Sequence, residues 1–284
     1  MVDVKPLHLK VIRHGESEGN FAQKRDELGD PVPLNTLIAH RHETNYRLTD
    51  LGRWQLEQTG IWIREQGYHF DVHLCSDTVR GRESAGCLNL PDATWTPLSM
   101  LRERDVREYQ ALTHAQQQLL IQKLSGGLLN SPYYYHPFGE APADLIDQRV
   151  SPMIQKVSNK DFKSVLWVCH GDYMRALQSR IWHFTKDEFA IMYLSERREA
   201  MVLNGAVHEY SRVDPSNSTN ILPDFGWFKS YCPSSPNHPS NTDWVPITRV
   251  TFSNAALLTS VEPFEQLVNN PIPKSKTDLL AEYD

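Results

Sequence analysis

The sequence predicts an α/β protein: a mainly parallel sheet flanked by helices on both faces, with an irregular C-terminal extension. Three observations carry that reading. Short apolar runs alternate with amphipathic helical stretches between residues 7 and 212, the pattern of strands joined by helical crossovers. Residues 164–169, SVLWVC, form a continuous apolar run, as a strand covered on both faces must. From about Asp214 the chain turns rich in Pro, Ser and Asn, and the strand-helix alternation stops.

Residues 7–12 read as the first strand, which stops at Arg13-His14-Gly15. Thr49-Asp50 can cap a helix starting at Leu51, with Leu51, Trp54, Ile61 and Trp62 as its apolar face. Residues 70–76 alternate apolar and polar and predict a second strand. Asp77 or Thr78 can cap the helix after it, and Thr113 a Gln- and Leu-rich helix ending near Gly126-Gly127. Pro142 suits a first helical turn and opens a pattern running toward Lys156. Pro152 inside that pattern predicts a kink or two shorter helices. The run 164–169 ends at His170-Gly171, and Asp172 can start a helix over 173–183. Asn204-Gly205, set between apolar runs, signals a turn between two extended pieces.

The extension carries Pro215, Pro223, Pro233, Pro236, Pro239 and Pro246, but also Phe225, Trp227, Phe228 and Tyr231. It is too aromatic for a linker. Residues 213–284 are therefore expected to pack on the domain formed by residues 1–212, with 245–253 able to add one strand. No internal repeat is evident.

Composition narrows the function. A chain of 284 residues, 40% hydrophobic and 23% charged, can bury a core that needs neither disulfide nor metal. With 29 Lys+Arg against 35 Asp+Glu, the formal charge is −6, which argues against a nucleic-acid partner or an anionic membrane. Cys75, Cys87, Cys169 and Cys232 are scattered without a CxxC pair and read as reduced thiols of a cytoplasmic protein. Residues 1–10 hold no apolar run suited to export. No stretch reaches the roughly twenty apolar residues of a membrane span.

Two histidines occupy matching positions: His14 and His170 each end an apolar strand and precede a glycine. Ligands of open α/β sheets collect at such strand ends. Arg13 adjoins the first histidine, and Arg80 follows the second strand end at Ser76-Asp77. The fixed donor fork of arginine suits phosphate oxygens. Two histidines and two arginines at strand ends specify an anion, most economically a phosphoryl group. His40-Arg41-His42-Glu43 and the pair His69/His73 suggest metal ligands only superficially, since strand residues four apart are too distant to chelate readily. Tyr133-Tyr134-Tyr135-His136 could wall a substrate pocket or pack under a long loop. Cys169 reads as a small core residue.

These residues resemble an ordered set of family motifs. Arg13-His14-Gly15-Glu16-Ser17 resembles the RHG signature of the histidine phosphatase superfamily, the phosphoglycerate-mutase-like family, and Glu18-Gly19-Asn20 continues it. Leu48-Thr49-Asp50-Leu51-Gly52 is similar to the LTxxG segment, and Ser76-Asp77-Thr78-Val79-Arg80 to the SDxxR stretch. Leu101-Arg102-Glu103 resembles the LxE stretch, Gly139-Glu140 part of the GGES segment, and Cys169-His170-Gly171 the second histidine with its glycine. The resemblance covers about 7–212, in order, and is not recognised beyond 212.

The resemblance implies His14 as a nucleophile that becomes phosphohistidine, with Glu103 as general acid and base. It implies Arg13, Arg80 and His170 around the phosphoryl oxygens, with Gly171 beside them and Asn20 as a further donor. Ser17 is a candidate donor or simply a helix cap. Asp105 and Glu108 lie near enough to compete with Glu103. No cofactor and no metal is implied, because the arginines supply the positive charge.

Mutases of the family carry an arginine pair between the acid and the second histidine. Here residues 111–147 offer only Lys123 as a basic residue besides histidine, and Arg197-Arg198 follows His170. The expectation is a phosphomonoesterase acting on a small phosphorylated metabolite or a phosphoprotein. Its alternatives are a mutase-type phosphotransferase and a non-catalytic phosphate or phosphoprotein binder.

Overall fold

The computed structural model describes residues 5–30, 41–106, 112, 116, 119, 133, 139–158, 160–194 and 201–268. Its main sheet has seven strands in the order β3-β2-β4-β1-β5-β8-β9. They are β1 (His8–Arg13), β2 (Val72–Ser76), β3 (Trp95–Leu98), β4 (Ser164–Cys169), β5 (Val207–Ser211), β8 (Trp227–Tyr231) and β9 (Val245–Pro246). Strands β1 to β4 are mutually parallel; β5 runs against β1, β8 against β5, and β9 against β8. Only β5 and β9 therefore run against the other five strands, and the sheet is parallel-dominated and mixed. A short antiparallel ribbon of β6 (Val213–Asp214) and β7 (Asn217–Ile221) stands apart from it.

Alternation along the strands divides the core between two faces. Leu9, Val11, Val165 and Trp167 pack on one side with Tyr173, Met174 and Leu177. Ile12, Leu166 and Val168 pack on the other with Leu56, Ile63 and Leu88. The β4 run is apolar throughout because both of its faces are covered. The first face is closed by α6 (Gly171–Trp182) and α5 (Ser151–Val157), the second by α2 (Asp50–Glu65) and α3 (Val79–Cys87). The remaining helices are α1 (Glu18–Glu27), α4 (Pro142–Leu145), α7 (Lys186–Leu194) and α8 (Asn254–Val261).

Local signals explain most helix starts. Thr49 caps α2 by accepting from the Gly52 amide, and Thr78 caps α3 by accepting from Gly81. Pro142 stands in the first turn of α4. A π-helical turn over Ile146–Val150 joins α4 to α5 and leads into Pro152, which accommodates the missing amide of that proline.

The buried face of α2 differs from the expected one. Leu51, Trp54 and Ile61 are exposed, and the face turned inward is Gly52, Leu56, Thr59, Gly60 and Ile63. Close backbone approach explains this. A Cβ on Gly52 would lie 2.0 Å from the Glu16 carbonyl oxygen, and one on Gly60 2.0 Å from that of Leu88. Trp62 alone of the expected set packs inward, against the Ile12 side of the core.

One further expectation is revised. The piece before Asn204-Gly205 does not become a strand: the Ala206 amide donates to Leu203 in a tight turn, and Val202 accepts from Arg13 across the end of β1. The extension contributes to the first compact unit as far as Arg249, because β8 pairs with β5 over Val207–Ser211 while Phe225 and Phe228 enter the core. Of 245–253 only Val245–Pro246 is strand. A second unit starts at Val250; its described part holds α8, with every described residue exposed. Apart from Gln116 and Leu119, the helix expected from Thr113 to near Gly126-Gly127 lies outside the described residues, as do the segments holding Glu108, Tyr134-Tyr135-His136 and Arg197-Arg198. No helix among the described residues is long and apolar enough to cross a membrane.

Burying histidine in this sheet makes stability pH-dependent. His208 lies opposite Val11 with its ring 5.0 Å from that of Phe228. Burial, then Arg175, pushes its pKa down to about 3. Burial, then Lys10, pushes His8 down to about 4. Unfolded histidine titrates near 6.5, so below that pH the unfolded chain binds protons that the folded chain refuses. Stability is full above about pH 6.5 and falls toward these lowered values, by roughly 1.4 kcal/mol per pH unit for each such histidine. Urea denaturation at pH 7 and pH 5 should show a smaller loss for His208→Leu than for the parent; equal losses would reject this account.

Candidate active site

The site follows from strand register. Pairing of β1 with β4 sets Arg13 opposite Cys169, and the His14 amide donates to the Cys169 carbonyl at 2.9 Å. The next residue of each strand is a histidine, so His14 and His170 meet edge to face with ring centroids 4.9 Å apart. Both are buried. Neighbouring β2 ends at Ser76, whose hydroxyl lies 2.9 Å from Nε2 of His170.

The His14 tautomer is fixed locally. Its Nδ1 lies 2.6 Å from the Gly15 carbonyl oxygen. A carbonyl only accepts, so Nδ1 carries the proton and Nε2 keeps its lone pair. The turn that creates this contact is held tightly: the Gly15 amide donates to Ser84 Oγ, and a Cβ on Gly15 would lie 2.2 Å from the Gly52 carbonyl oxygen. Here the first glycine of the RHG motif meets the glycine of the LTDLG segment, and neither position has room for a side chain.

Electrostatics keep both rings neutral. Burial, then Arg80 and Arg13, holds the pKa of His14 well below the usual histidine range, with only the Gly15 contact opposing. For His170 burial again leads, followed by Arg80, His14 and Arg13. Arg13 donates from one terminal nitrogen to Val202, while its buried Nε has no partner among the described residues. A Cβ on Gly171 would lie 3.3 Å from that Nε, so the glycine leaves space for the guanidinium. Arg80, in the first turn of α3, is buried, and its terminal nitrogens donate to the carbonyl and carboxylate of Glu43 at 2.6 and 2.7 Å.

Glu103 follows a short 3-10 turn, Ser99–Leu101, and faces the N-terminus of α6. Its carboxylate accepts from the amides of Arg104, Asp172 and Tyr173 at 3.0, 3.3 and 3.2 Å. Burial, reinforced by Asp172, raises its pKa, while the Arg104 amide, Arg13 and Arg80 oppose. Arg149 secures the backbone behind it by donating to the Arg102 and Glu103 carbonyls and pairing with Glu140. Gly139 lets that segment pass close, since its Cβ would fall 2.1 Å from the Asp105 carbonyl oxygen. A cleft of about 470 Å³ opens beside Glu103, lined in part by Arg102, Asp105, Glu140, Asp144 and Arg149.

His14, His170, Arg13, Arg80, Gly171 and Glu103 thus converge. Ser17 and Asn20 are engaged with each other: Ser17 caps α1, its hydroxyl taking the Asn20 amide and donating to Asn20 Oδ1. Asn204 joins this pair by donating to Asn20 Oδ1 and to the His14 carbonyl. His73 stacks between Phe70 and Trp95. Burial, then Glu103, raises the Cys169 thiol well above its ordinary range, which leaves it unreactive.

Four contributors were not singled out from sequence. Ser76 and Asn204 sat inside signals read for other reasons, a strand end and a turn. Glu43, noted only within the run His40-Arg41-His42-Glu43, and Ser84 reach the site across the fold.

Convergent imidazoles and guanidinium groups at parallel strand ends define an α/β protein with a cationic anion pocket. The model of the histidine phosphatase superfamily (branch 1) matches residues 9–199, and the chain belongs to that superfamily. An acid phosphatase of Mycobacterium tuberculosis is 28% identical over 179 residues, 62% of this chain and 76% of the relative. A 2,3-bisphosphoglycerate-dependent phosphoglycerate mutase of Bacteroides thetaiotaomicron is 25% identical, covering 63% of this chain and 79% of its own. Among solved structures, a putative alpha-ribazole-5'-P phosphatase of Escherichia coli shares the fold with a TM-score of 0.54 at 18% identity, covering 78% of this chain and 99% of that one.

Proposed function

We propose that the protein is a metal-independent phosphomonoesterase working through a phosphohistidine on His14. The observation that carries this reading is the Nδ1 contact of His14 with the Gly15 carbonyl at 2.6 Å, which leaves Nε2 unprotonated beside two arginines. Nε2 attacks phosphorus, the bond to the ester oxygen breaks, and Glu103 delivers its proton to the departing oxygen. Arg13, Arg80 and neutral His170 stabilise the oxygens of the transferring group. Glu103, now a carboxylate, takes a proton from water, whose oxygen attacks the phosphohistidine and regenerates the imidazole. The substrate class is a phosphorylated metabolite or phosphoprotein, and the cytoplasm is the proposed compartment.

The mutase relative favours one second reading, transfer of the phosphoryl group back to a phosphoglycerate. Incubation with a radiolabelled phosphate ester in chelator, followed by alkaline denaturation, is expected to trap label that survives base and is lost in acid. Hydrolysis that stops in chelator, or label absent from the chain during turnover, would defeat the proposal. Turnover of 3-phosphoglycerate only with a bisphosphate primer would support the mutase.

A further inference from the structure

Asn204 ties together parts of the site that are far apart in the chain. It stands in the turn that closes across the end of β1. There the Gly205 amide reaches the Arg13 and His14 carbonyls, and Val202 accepts from the Arg13 side chain. Asn204 Nδ2 donates to the His14 carbonyl at 3.0 Å and to Asn20 Oδ1 at 3.3 Å. A side-chain amide nitrogen has two hydrogens, and both are used.

Groups with no choice of role dictate the direction of these bonds. The His14 carbonyl can only accept, which fixes Nδ2 of Asn204 on that side. The Ser17 amide can only donate, and it meets Asn20 Oδ1 at 3.3 Å. The Ser17 hydroxyl takes the Asn20 amide and sends its own proton to the same Oδ1. Every hydrogen bond of the Asn20 side chain with a described residue thus falls on Oδ1, and Nδ2 is left as a donor for a ligand.

The two sets of bonds do different jobs. Ser17 and Asn20 form the capping box of α1, so Ser17 orients the amide only relative to its own helix. Asn204 fixes the same oxygen relative to His14. The turn that carries Asn204 is braced from behind. Thr59 donates to the Gly205 carbonyl at 2.8 Å, and the thiol of buried Cys232 lies 3.7 Å from the Asn204 carbonyl oxygen. Asn241 holds Cys232 in turn by accepting from its amide at 2.8 Å. A piece of the C-terminal extension therefore stands directly behind the residue that spans from α1 to the end of β1.

We infer that Asn204 is a positioning residue that acts through Asn20, setting a neutral amide donor at a fixed place beside His14 for a phosphoryl oxygen. This rests on the phosphomonoesterase reading above. A donor held in place before the reaction adds a contact to Arg13 and Arg80 and need not reorganise as charge gathers on the oxygens. Loss of Asn204 releases the first turn of α1 from His14 while Asn20 itself stays in the chain. The His14 carbonyl is not orphaned by that loss, because the Gly205 amide also reaches it, at 3.4 Å.

The experiment is a double-mutant cycle of Asn20→Ala and Asn204→Ala. It is read as kcat/KM for p-nitrophenyl phosphate and as the inhibition constant of vanadate, with a urea midpoint for each variant. Asn20→Ala should weaken both readings roughly tenfold, the scale of one hydrogen bond to a charged group. Asn204→Ala should lose about as much, and the double variant no more than Asn20→Ala alone, because the donor it positions is already gone. A purely structural Asn204 gives losses that multiply, or a lowered urea midpoint with the vanadate constant unchanged. Either result, or no effect of Asn20→Ala, would overturn the inference. If Asn204→Ala does not fold, Asn204→Ser takes its place, with a polar group kept in the turn on a side chain too short to bridge to Asn20. If the parent hydrolyses no p-nitrophenyl phosphate, the phosphomonoesterase reading fails, and the cycle is read as the dissociation constant of inorganic phosphate by calorimetry. Losses that do not multiply there sustain the role of Asn204; losses that multiply, or no binding, overturn it.

Discussion

His14→Ala is expected to lower kcat/KM for p-nitrophenyl phosphate by roughly 10⁴-fold or more, the scale seen when a covalent nucleophile is removed. The reason lies in what else is at hand. Cys169 is the nearest alternative in sequence context, but burial and Glu103 keep its thiol protonated. His170 is neutral, yet its Nε2 lies within 2.9 Å of the Ser76 hydroxyl, which restrains that nitrogen. Even a good leaving group should not bypass the loss, because the deficit lies in bond formation to phosphorus and not in protonation. Circular dichroism and the urea midpoint check that the variant folds, since a buried imbidazole-sized gap costs stability. A folded His14→Ala enzyme within tenfold of the parent would remove His14 from the mechanism.

The pH profile supplies an independent check. Burial and the two arginines hold His14 and His170 below the ordinary histidine range, so the nucleophile keeps its lone pair as the solution turns mildly acid. Activity at pH 5 should therefore remain substantial in an initial-rate assay, provided the fold persists. The same protonation chemistry at His208 and His8 acts on the scaffold and not on the reaction. Rates taken before unfolding and equilibrium denaturation separate the two.

Much of this arrangement is legible in the chain because it depends on short-range rules. Two apolar runs ending in His-Gly announce adjacent strand ends, and the β1–β4 register then brings their imidazoles together. Thr49 and Thr78 announce α2 and α3 because a hydroxyl two or three residues ahead of a helical amide is a local device. What escapes is contact made by small or distant residues. The inward face of α2 includes two glycines, whose value is the backbone approach they permit, and hydropathy does not register that. Strand β8 lies in a Pro- and Ser-rich stretch, and its place beside β5 depends on a pairing partner with no mark in its own sequence. Glu43 is the sharpest case: it engages an arginine 37 positions away, and the pattern around it, His40-Arg41-His42-Glu43, hints at a metal and not at that arginine.

Glu103→Gln separates leaving-group protonation from every other step. With an alkyl phosphate such as glycerol 1-phosphate the loss in kcat should be roughly 10³-fold, within the range for general acid catalysis. With p-nitrophenyl phosphate the first bond cleavage should change little, because nitrophenolate departs without a proton. The glutamine oxygen can replace one carboxylate oxygen, that which takes the Arg104 and Tyr173 amides, while the Asp172 amide loses its acceptor, so a urea midpoint accompanies the rates. Sign matters for the pH dependence. Burial and Asp172 raise the Glu103 pKa, so the carboxyl stays protonated above the usual carboxylate range, and alkyl ester cleavage declines as pH rises through that value. Glu103→Gln should lose this alkaline limb along with the rate. A variant slowed equally on both esters, with the limb intact, would assign the acid elsewhere: Asp105 borders the same cleft, and Asp105→Asn would then be the enzyme that loses it.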